Sequence, residues 1–560
     1  MIELRELRGV GIGTGVVVGP VLHVARQAAV APTDAPSTIG AEAEVARARE
    51  ALAAVSAQLR ERAAGADDAT RDVLEAQALM TDDPALLDGV ESKLAGGITA
   101  EKAVADSFAE FAAMLADAGE YFAERAADLH DLSDRAVAVL QGRSTELVVD
   151  PGHPYVLVAR DLAPADTAVL DLDRVLAFVT SEGGPTSHTA ILARQRGIIA
   201  LVGATGVESL PEGVEVIVDA ERGRVSVDPD AAELADAEAR IAARAAAASA
   251  PIGPGVLADG TPIKLLANLG KPGEAADAVR LGAEGVGLFR TEFLFLDSAD
   301  APTVEEQTAS YREVLAAFPG KRVVVRLLDA GADKPLAFLS PGEEENPALG
   351  RRGLRALRAS ESVLRDQLAA LAAAADGTEA ELWVMAPMVA TVEETRFVSD
   401  AVHGVGIPVA GVMVEIPSVA LIADRVLAHT DFASIGTNDL TQYTLAADRQ
   451  LGSVAALQDP WHPAVLRLVS EVGAAGAALG KPVGVCGEAA ADPLLAVVLA
   501  GLGVTSLSMS PTALADVRVS LARYTPDDAA AIARAALAAE EAADAREAAR
   551  AAADTITAGR

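Results

Sequence analysis

Short apolar runs alternate with helix-patterned stretches through the C-terminal half of the chain, and that alternation constrains the fold more than any other feature. The runs read "IKLLANL", "GVGLFRT", "VVVRLLD", "LWVMAPM", "GVMVEIP", "FASIGTN", "VGVCGEA" and "SLSMSP". A strand followed by an amphipathic helix, repeated, is the pattern of βα units and a parallel sheet. About eight such units over roughly 270 residues predict a (β/α)8 TIM-type barrel. The remaining "TPDDAAAIARAALAAEEAADAREAARAAADTI" then supplies the closing helices. Polar side chains fall at the ends of the runs: Asn268, Arg290, Asp329, Glu415, Asn438, Asp439, Cys486 and Glu488. In such a barrel those ends share one face, where active sites are built.

A chain of 560 residues exceeds one ordinary domain, so the rest must be organised separately. From Gly40 to Leu140 it is Ala-rich and charged, with apolar residues at helical spacing, as in Val45, Leu52, Val55 and Leu59. This predicts a helical bundle. β-like pieces flank it: "VGIGTGVVVGPVLHV" before, and "YVLVARDL", "RVLAFVT", "GIIALVG", "VEVIVDA" and "GRVSVD" after. The bundle therefore reads as an insertion. Residues 231–250 are nearly all helix formers and run into "PIGPG", as a stiff helical linker would. The expected organisation is an α/β multidomain chain: a β/α domain over 1–29 and 144–230, an inserted bundle over 30–143, a linker over 231–250 and a barrel over 251–560.

Charge narrows the partners. The 81 acidic and 46 basic residues give −35, which disfavours nucleic acid and anionic lipid and favours a basic protein or magnesium-bound anions. The single cysteine excludes an intrachain disulfide framework, and the opening "MIELRELRGVGIG" lacks the pattern of a secretory signal. No apolar run reaches membrane-spanning length. A soluble, cytoplasmic protein is expected.

The stretch "GGPTSHTAILARQRG" places His188 among glycine and hydroxyl residues where a helix is predicted to begin. Free N–H groups and the positive end of the helix dipole suit a phosphoryl group there, and a neutral imidazole is a competent nucleophile for covalent transfer. A histidine that caps or packs at a helix start is the other reading. Four arginines, Arg290, Arg326, Arg352 and Arg449, are candidates for binding phosphate and carboxylate bidentately, which implies a small, strongly anionic substrate. Glu415 in "MVEIPS" and Asp439 in "GTNDLTQY" are hard carboxylates on neighbouring strands, suited to magnesium that completes its shell with substrate oxygens. Cys486 reads either as a small buried hydrophobe or as a proton donor or acceptor at the barrel mouth.

"GGPTSHTAILAR", "GVGLFRTEFLF", "EENPALGRRGLR", "VMVEIPSVA", "SIGTNDLTQYTLAADR" and "HPAVL" followed by "VGVCGEAAAD" occur in an order and spacing that resemble Enzyme I of the bacterial sugar phosphotransferase system. The resemblance spans nearly the full length. It implies a swivelling phosphohistidine domain, a bundle that binds the carrier protein HPr, and a barrel that binds phosphoenolpyruvate. It implies phosphorylation of His188 by phosphoenolpyruvate with magnesium, release of pyruvate, and transfer to HPr as the first step of sugar uptake. Carried over residue by residue, Arg290 and Arg326 bind phosphate, Glu415 and Asp439 bind magnesium, and Asn438 and Arg449 hold the substrate. Arg352 matches an active-site arginine, Cys486 the proton donor to the enolate carbon, and Thr167 a hydroxyl that bonds the resting histidine. Leu79, Met80, Asp82 and Asp83 form the expected carrier-docking patch, and a homodimer through the barrel is implied. Two rivals remain. A pyruvate phosphate dikinase or phosphoenolpyruvate synthase has a similar histidine domain and barrel but adds a nucleotide-binding domain, for which 187 residues upstream of His188, mostly bundle, leave no room. A non-catalytic regulatory binder of the carrier is the other.

Overall fold

The computed structural model describes residues 5–13, 15–23, 32–33, 35–65, 68–117, 120–143, 151–162, 167, 170–184, 187, 189–190, 192–193, 197–249, 252–295, 301–331, 336, 338–339, 344–449 and 451–559. The chain forms two compact units, residues 1–242 and 243–560.

In the first unit, strands β1 (Glu6–Arg8), β2 (Val10–Ile12), β3 (Val16–His23), β4 (Tyr155–Ala159), β5 (Val175–Thr180), β6 (Ile199–Val202), β7 (Glu215–Asp219) and β8 (Arg224–Val227) make one sheet in the order β1-β8-β7-β3-β4-β5-β6-β2. Its middle, β3 to β6, is parallel and its flanks are antiparallel. The central strands read as continuous apolar runs because both faces are covered. Alternation assigns Val156, Val158, Ala177, Val179 and Leu201 to one core and Tyr155, Leu157, Phe178, Ala200 and Val202 to the other. The short β1 gives no signal in the sequence. It carries one inward residue, Leu7, too little for a periodic signal, and owes its existence to antiparallel pairing with β8.

Between β3 and β4 lie five helices: α1 (Ala41–Gly65), α2 (Asp68–Thr81), α3 (Pro84–Leu94), α4 (Ala100–Asp117) and α5 (Glu120–Leu140). Ala48, Leu52, Val55, Leu59 and Ala63 line one face of α1 at helical spacing and meet Leu74, Leu86, Phe108 and Leu132 in the bundle core. Helix α6 (Ala231–Ser249) follows β8, and Leu234 and Ala237 on its early turns pack against Val16 and Ile217. Arg240 Nη1 lies 2.6 Å from the buried Asp219 Oδ2, pinning that part of α6 to β7.

In the second unit all eight apolar runs become strands: β9 (Lys264–Leu269), β10 (Gly285–Arg290), β11 (Arg322–Arg326), β12 (Glu381–Ala386), β13 (Ala410–Val414), β14 (Phe432–Ile435), β15 (Val483–Val485) and β16 (Ser506–Met509). They close into a parallel barrel, β16 pairing with β9 in register Ser506↔Lys264 to Met509↔Ala267. The fold is thus a multidomain α/β protein with an inserted helical bundle and a C-terminal (β/α)8 barrel. Helices Pro526–Leu537 and Ala542–Ala558 lie after the last strand and bury Ile532, Ala545 and Ala549 in the barrel's outer core.

Candidate active site

The barrel brings its charged strand ends together. Arg290 and Arg326 end β10 and β11, Glu415 follows β13, Asn438 and Asp439 begin the helix Thr437–Leu445 after β14, and Cys486 follows β15. Arg352 arrives on the long connection after β11. Arg326, Arg352, Glu415 and Asp439 are each 5 % exposed or less, and so are Glu292 and Asp329. Charges this deep persist only when paired.

The pairing is continuous. Arg326 Nη2 donates to Glu292 Oε1 at 2.7 Å, and its Nη1 lies 3.3 Å from Asp329 Oδ2 and 3.7 Å from Glu415 Oε1. Arg352 grips Asp329 with two nitrogens, Nε to Oδ1 at 3.2 Å and Nη2 to Oδ2 at 3.0 Å, while its Nη1 donates to Asp439 Oδ1 at 2.7 Å. Arg449 Nη1 lies 3.8 Å from Asp439 Oδ2. Glu415 Oε2 accepts from the backbone N–H of Met388, which holds an unusual φ of +56° for a branchless residue. A Cβ on Gly436 would stand 2.8 Å from Glu415 Oε1, so glycine is required to seat that carboxylate.

Two buried arginines face four buried carboxylates. The surplus of negative charge shows in Glu415, whose pKa is pushed up to about 7 by burial and by neighbouring Asp439. Burial alone would lower the basicity of Arg326 and Arg352, but the surrounding carboxylates win and hold both guanidinium groups firmly charged. Arg290 is shifted the other way, by burial and by Arg326, which leaves it a desolvated cation in search of an anion. Burial lifts the Cys486 thiol to about 11, against a hydrogen bond from Ser434 that opposes the shift, so the group is a thiol at neutral pH.

The fit to a divalent cation is sound in charge and partial in ligands. Among the described residues no cluster of three or more His, Cys, Asp or Glu side chains could cage a metal by itself. Glu415 and Asp439 supply two hard oxygens, and magnesium commonly draws the rest from substrate and water.

Several participants escape a linear reading. Glu292 sits two residues after Arg290 in "FRTEF", an adjacency that is visible in the sequence. Gln367, fully buried on the helix Glu361–Ala375, accepts from the Leu328 N–H at 3.0 Å and donates to Thr291 Oγ1 and Tyr311 Oη, both at 3.2 Å. Thr291 in turn donates to the Arg326 carbonyl at 3.0 Å. One amide therefore ties together the backbones that carry Arg290 and Arg326. Tyr443 bonds Arg352 Nη1 at 3.3 Å and the Ala348 carbonyl, joining the connection after β11 to the helix that bears Asp439. Asn438 Oδ1 accepts the Glu488 N–H at 3.1 Å, linking the β14 and β15 ends.

In the first unit His188 lies outside the described residues. Around it, Gly183 has φ +87°, Ser187 N–H donates to the Gly184 carbonyl, and Thr189 Oγ1 donates to Asp161 Oδ1 at 3.3 Å. Thr167 is buried. In the bundle Leu79 is 66 % exposed and Met80 packs against the core, whereas Asp82 pairs with Arg60 and Asp83 caps α3 by accepting the Ala85 N–H. Both acids of that patch thus have structural work.

Three family models match in chain order: "PEP-utilising enzyme, N-terminal" over residues 8–125, "PEP-utilising enzyme, mobile domain" over 151–223 and "PEP-utilising enzyme, PEP-binding domain" over 244–525. The chain belongs to the phosphoenolpyruvate-utilising enzymes. A Streptomyces coelicolor protein named phosphoenolpyruvate-protein phosphotransferase is 54 % identical over 97 % of this chain and 98 % of its own length. Haloferax volcanii and Bacillus subtilis proteins of the same name are 41 % and 37 % identical, each over 94 % of this chain, with 95 % and 96 % of their own lengths covered. The buried arginine–carboxylate lattice therefore lies in the portion of a phosphoenolpyruvate-utilising enzyme that matches the PEP-binding model. Among the described residues no helix is long and apolar enough to cross a membrane.

Proposed function

We propose that the protein is a phosphoenolpyruvate–protein phosphotransferase: it takes the phosphoryl group of phosphoenolpyruvate onto His188 and passes it to the carrier protein HPr, opening phosphotransferase-type sugar uptake. The observation that carries this reading is the barrel-mouth set itself, in which desolvated Arg290 and paired Arg326 face Glu415 and Asp439. Such a set suits a trianionic substrate accompanied by a divalent cation.

In this mechanism the protein mainly positions and neutralises. Arg290 and Arg326 clamp the phosphate, Arg449 and Asn438 orient the carboxylate end, and Arg352 keeps Asp329 and Asp439 aligned. Glu415 and Asp439 would hold magnesium, which when bound neutralises charge on the transferring group. His188 attacks phosphorus in line, with Thr167 fixing its resting ring. Breaking the phosphate ester leaves the pyruvate enolate, and Cys486 gives its proton to the enolate carbon. The domain division expected from sequence fits the transfer to a carrier: residues 1–29 and 144–230 present the histidine, 30–143 dock HPr near Leu79 and Met80, and 231–250 allow the swing from the 251–560 barrel. The protein would act in the cytoplasm, as a homodimer through the barrel.

Intact mass is the deciding test. With magnesium and phosphoenolpyruvate the protein gains one phosphoryl group and releases one pyruvate, HPr removes the group, and a His188→Ala chain gains none. No mass gain and no pyruvate from the unaltered chain would sink the proposal and leave a regulatory binder of the carrier as the better account.

A further inference from the structure

The barrel interior has two unlike halves. On one side Leu288, Val324, Met385, Met413 and Phe432 form an apolar cluster that reaches Cys486. On the other stand Ser434, Ser506 and Ser508, each 5 % exposed or less. Barrel interiors are ordinarily filled by layers of branched apolar side chains, and a buried hydroxyl costs free energy unless something bonds it.

These three hydroxyls line a small cavity of about 10 Å³ with Gly287, Gly484 and Arg322, and apolar side chains such as Leu266 and Val485 close the rest of it. Glycine makes the space. A Cβ on Gly484 would stand 2.8 Å from Ser506 Oγ and 3.9 Å from Ser434 Oγ, and a Cβ on Gly287 2.5 Å from Ser508 Oγ. The cavity starts at the N-terminal ends of the strands, where Arg322 and Ser506 are the first residues of β11 and β16, the face opposite the arginine–carboxylate lattice. There the Arg322 guanidinium lies 3.7 Å over the Trp383 ring. At the inner end the Cys486 thiol donates to the Ile435 carbonyl at 3.7 Å, and the adjacent Ser434 hydroxyl is placed to stabilise the thiolate. Ser508 Oγ donates to Asn268 Oδ1 at 2.6 Å, and Asn268 Nδ2 donates to the Cys486 carbonyl at 3.4 Å, so the cysteine is braced from the same side. With hydroxyls on one wall, the cavity has room for about one water.

We propose that Ser506, Ser434 and water in this cavity form a proton path that re-protonates Cys486 through the barrel core, from the face opposite the substrate. The inference rests on the reading of Cys486 as the enolate's proton donor. In that step the S–H bond breaks, a C–H bond forms at the enolate carbon, and a thiolate remains. The Ser434 O–H then gives its proton to sulfur while the Ser434 oxygen takes one from cavity water near Ser506, which is resupplied from solvent past Arg322. One solvent proton is consumed per pyruvate, and nothing is oxidised or reduced. With product and arginines filling the mouth, this route resets the thiol without waiting for the mouth to clear.

The test is rapid mixing of the full chain with magnesium, phosphoenolpyruvate and excess HPr while pyruvate is followed. The thiol starts protonated, so Ser506→Ala and Ser434→Ala should release the first pyruvate per chain at the wild-type rate and then turn over about tenfold or more slowly. Ser434→Thr, which keeps the hydroxyl, should restore steady-state turnover. Steady-state rates within about twofold of wild type in both alanine variants would overturn the path. So would equal slowing of the first and later turnovers, the mark of a merely structural role. A Cys486→Ala chain that makes pyruvate at the wild-type rate overturns the donor assignment together with the path, whereas an impaired Cys486→Ala chain beside unchanged serine variants overturns the path alone.

Discussion

At the scale of single residues, the site is governed by how many charges it buries. Glu415 is the weak point of the lattice: its nearest cations are already committed to Glu292 and Asp329, so burial and Asp439 raise its pKa to about 7 from an ordinary 4.5. A carboxyl whose folded pKa is raised binds its proton more tightly when folded, so its contribution to stability is full below about pH 4.5 and is lost as pH rises through about 7. Metal-free protein should therefore melt at a lower temperature at pH 8 than at pH 5.5, by a margin that Glu415→Gln shrinks, because the amide cannot ionise. The comparison of thermal midpoints between the two chains isolates this carboxyl from the other titrating groups. An identical pH slope in both would show that Glu415 is ionised throughout.

At the scale of elements, the helix Glu361–Ala375 does for the site what no strand-end residue does. Its Gln367 amide bonds Leu328, Thr291 and Tyr311, and Thr291 bonds the Arg326 carbonyl. Gln367→Leu should cost about 1–3 kcal/mol by orphaning a buried N–H, measured by urea unfolding. It should also lower kcat for phosphoenolpyruvate more than it raises KM, because the arginines are displaced rather than removed. Loss of stability with unchanged kinetics would confine Gln367 to a structural role. The contrast between what the sequence discloses and what it hides is of the same kind. Apolar runs, their spacing and the polar residue at each end are local properties, and from them the eight barrel strands and the positions of Arg290, Arg326, Glu415, Asp439 and Cys486 could be read. Gln367 lies in a run of alanine and leucine, at the spacing of Leu364, Leu368 and Leu371 on the buried face. Its partners come from three other elements, so only the closed barrel reveals them. The hydroxylic half of the barrel core was hidden for the same reason: Ser434, Ser506 and Ser508 look like ordinary strand residues until register sets Gly484 opposite both Ser434 and Ser506.

At the scale of the whole molecule, charge sets opposite demands on the two proposed half-reactions. A net charge of −35 on 560 residues repels a trianion such as phosphoenolpyruvate at long range, and only the local arginine field at the barrel mouth draws it in. The same net charge attracts a carrier with a basic docking face, and the bundle offers exposed Leu79 with acids beside it as a place to land. Salt shortens the reach of both fields to about 8 Å at physiological strength. It should then weaken the attraction of the carrier without weakening the capture of phosphoenolpyruvate, whose contacts are short and largely buried. Raising salt from about 20 mM to about 500 mM should slow the second-order transfer from the phosphorylated chain to HPr about tenfold, as for other steered associations. The rate of pyruvate formation at limiting phosphoenolpyruvate should hold steady or rise over the same range. Stopped-flow measurement of the two half-reactions separates them. A fall in both would mean that the arginines at the mouth steer the substrate over distances longer than their burial suggests, and a fall in neither would remove electrostatics from the choice of carrier.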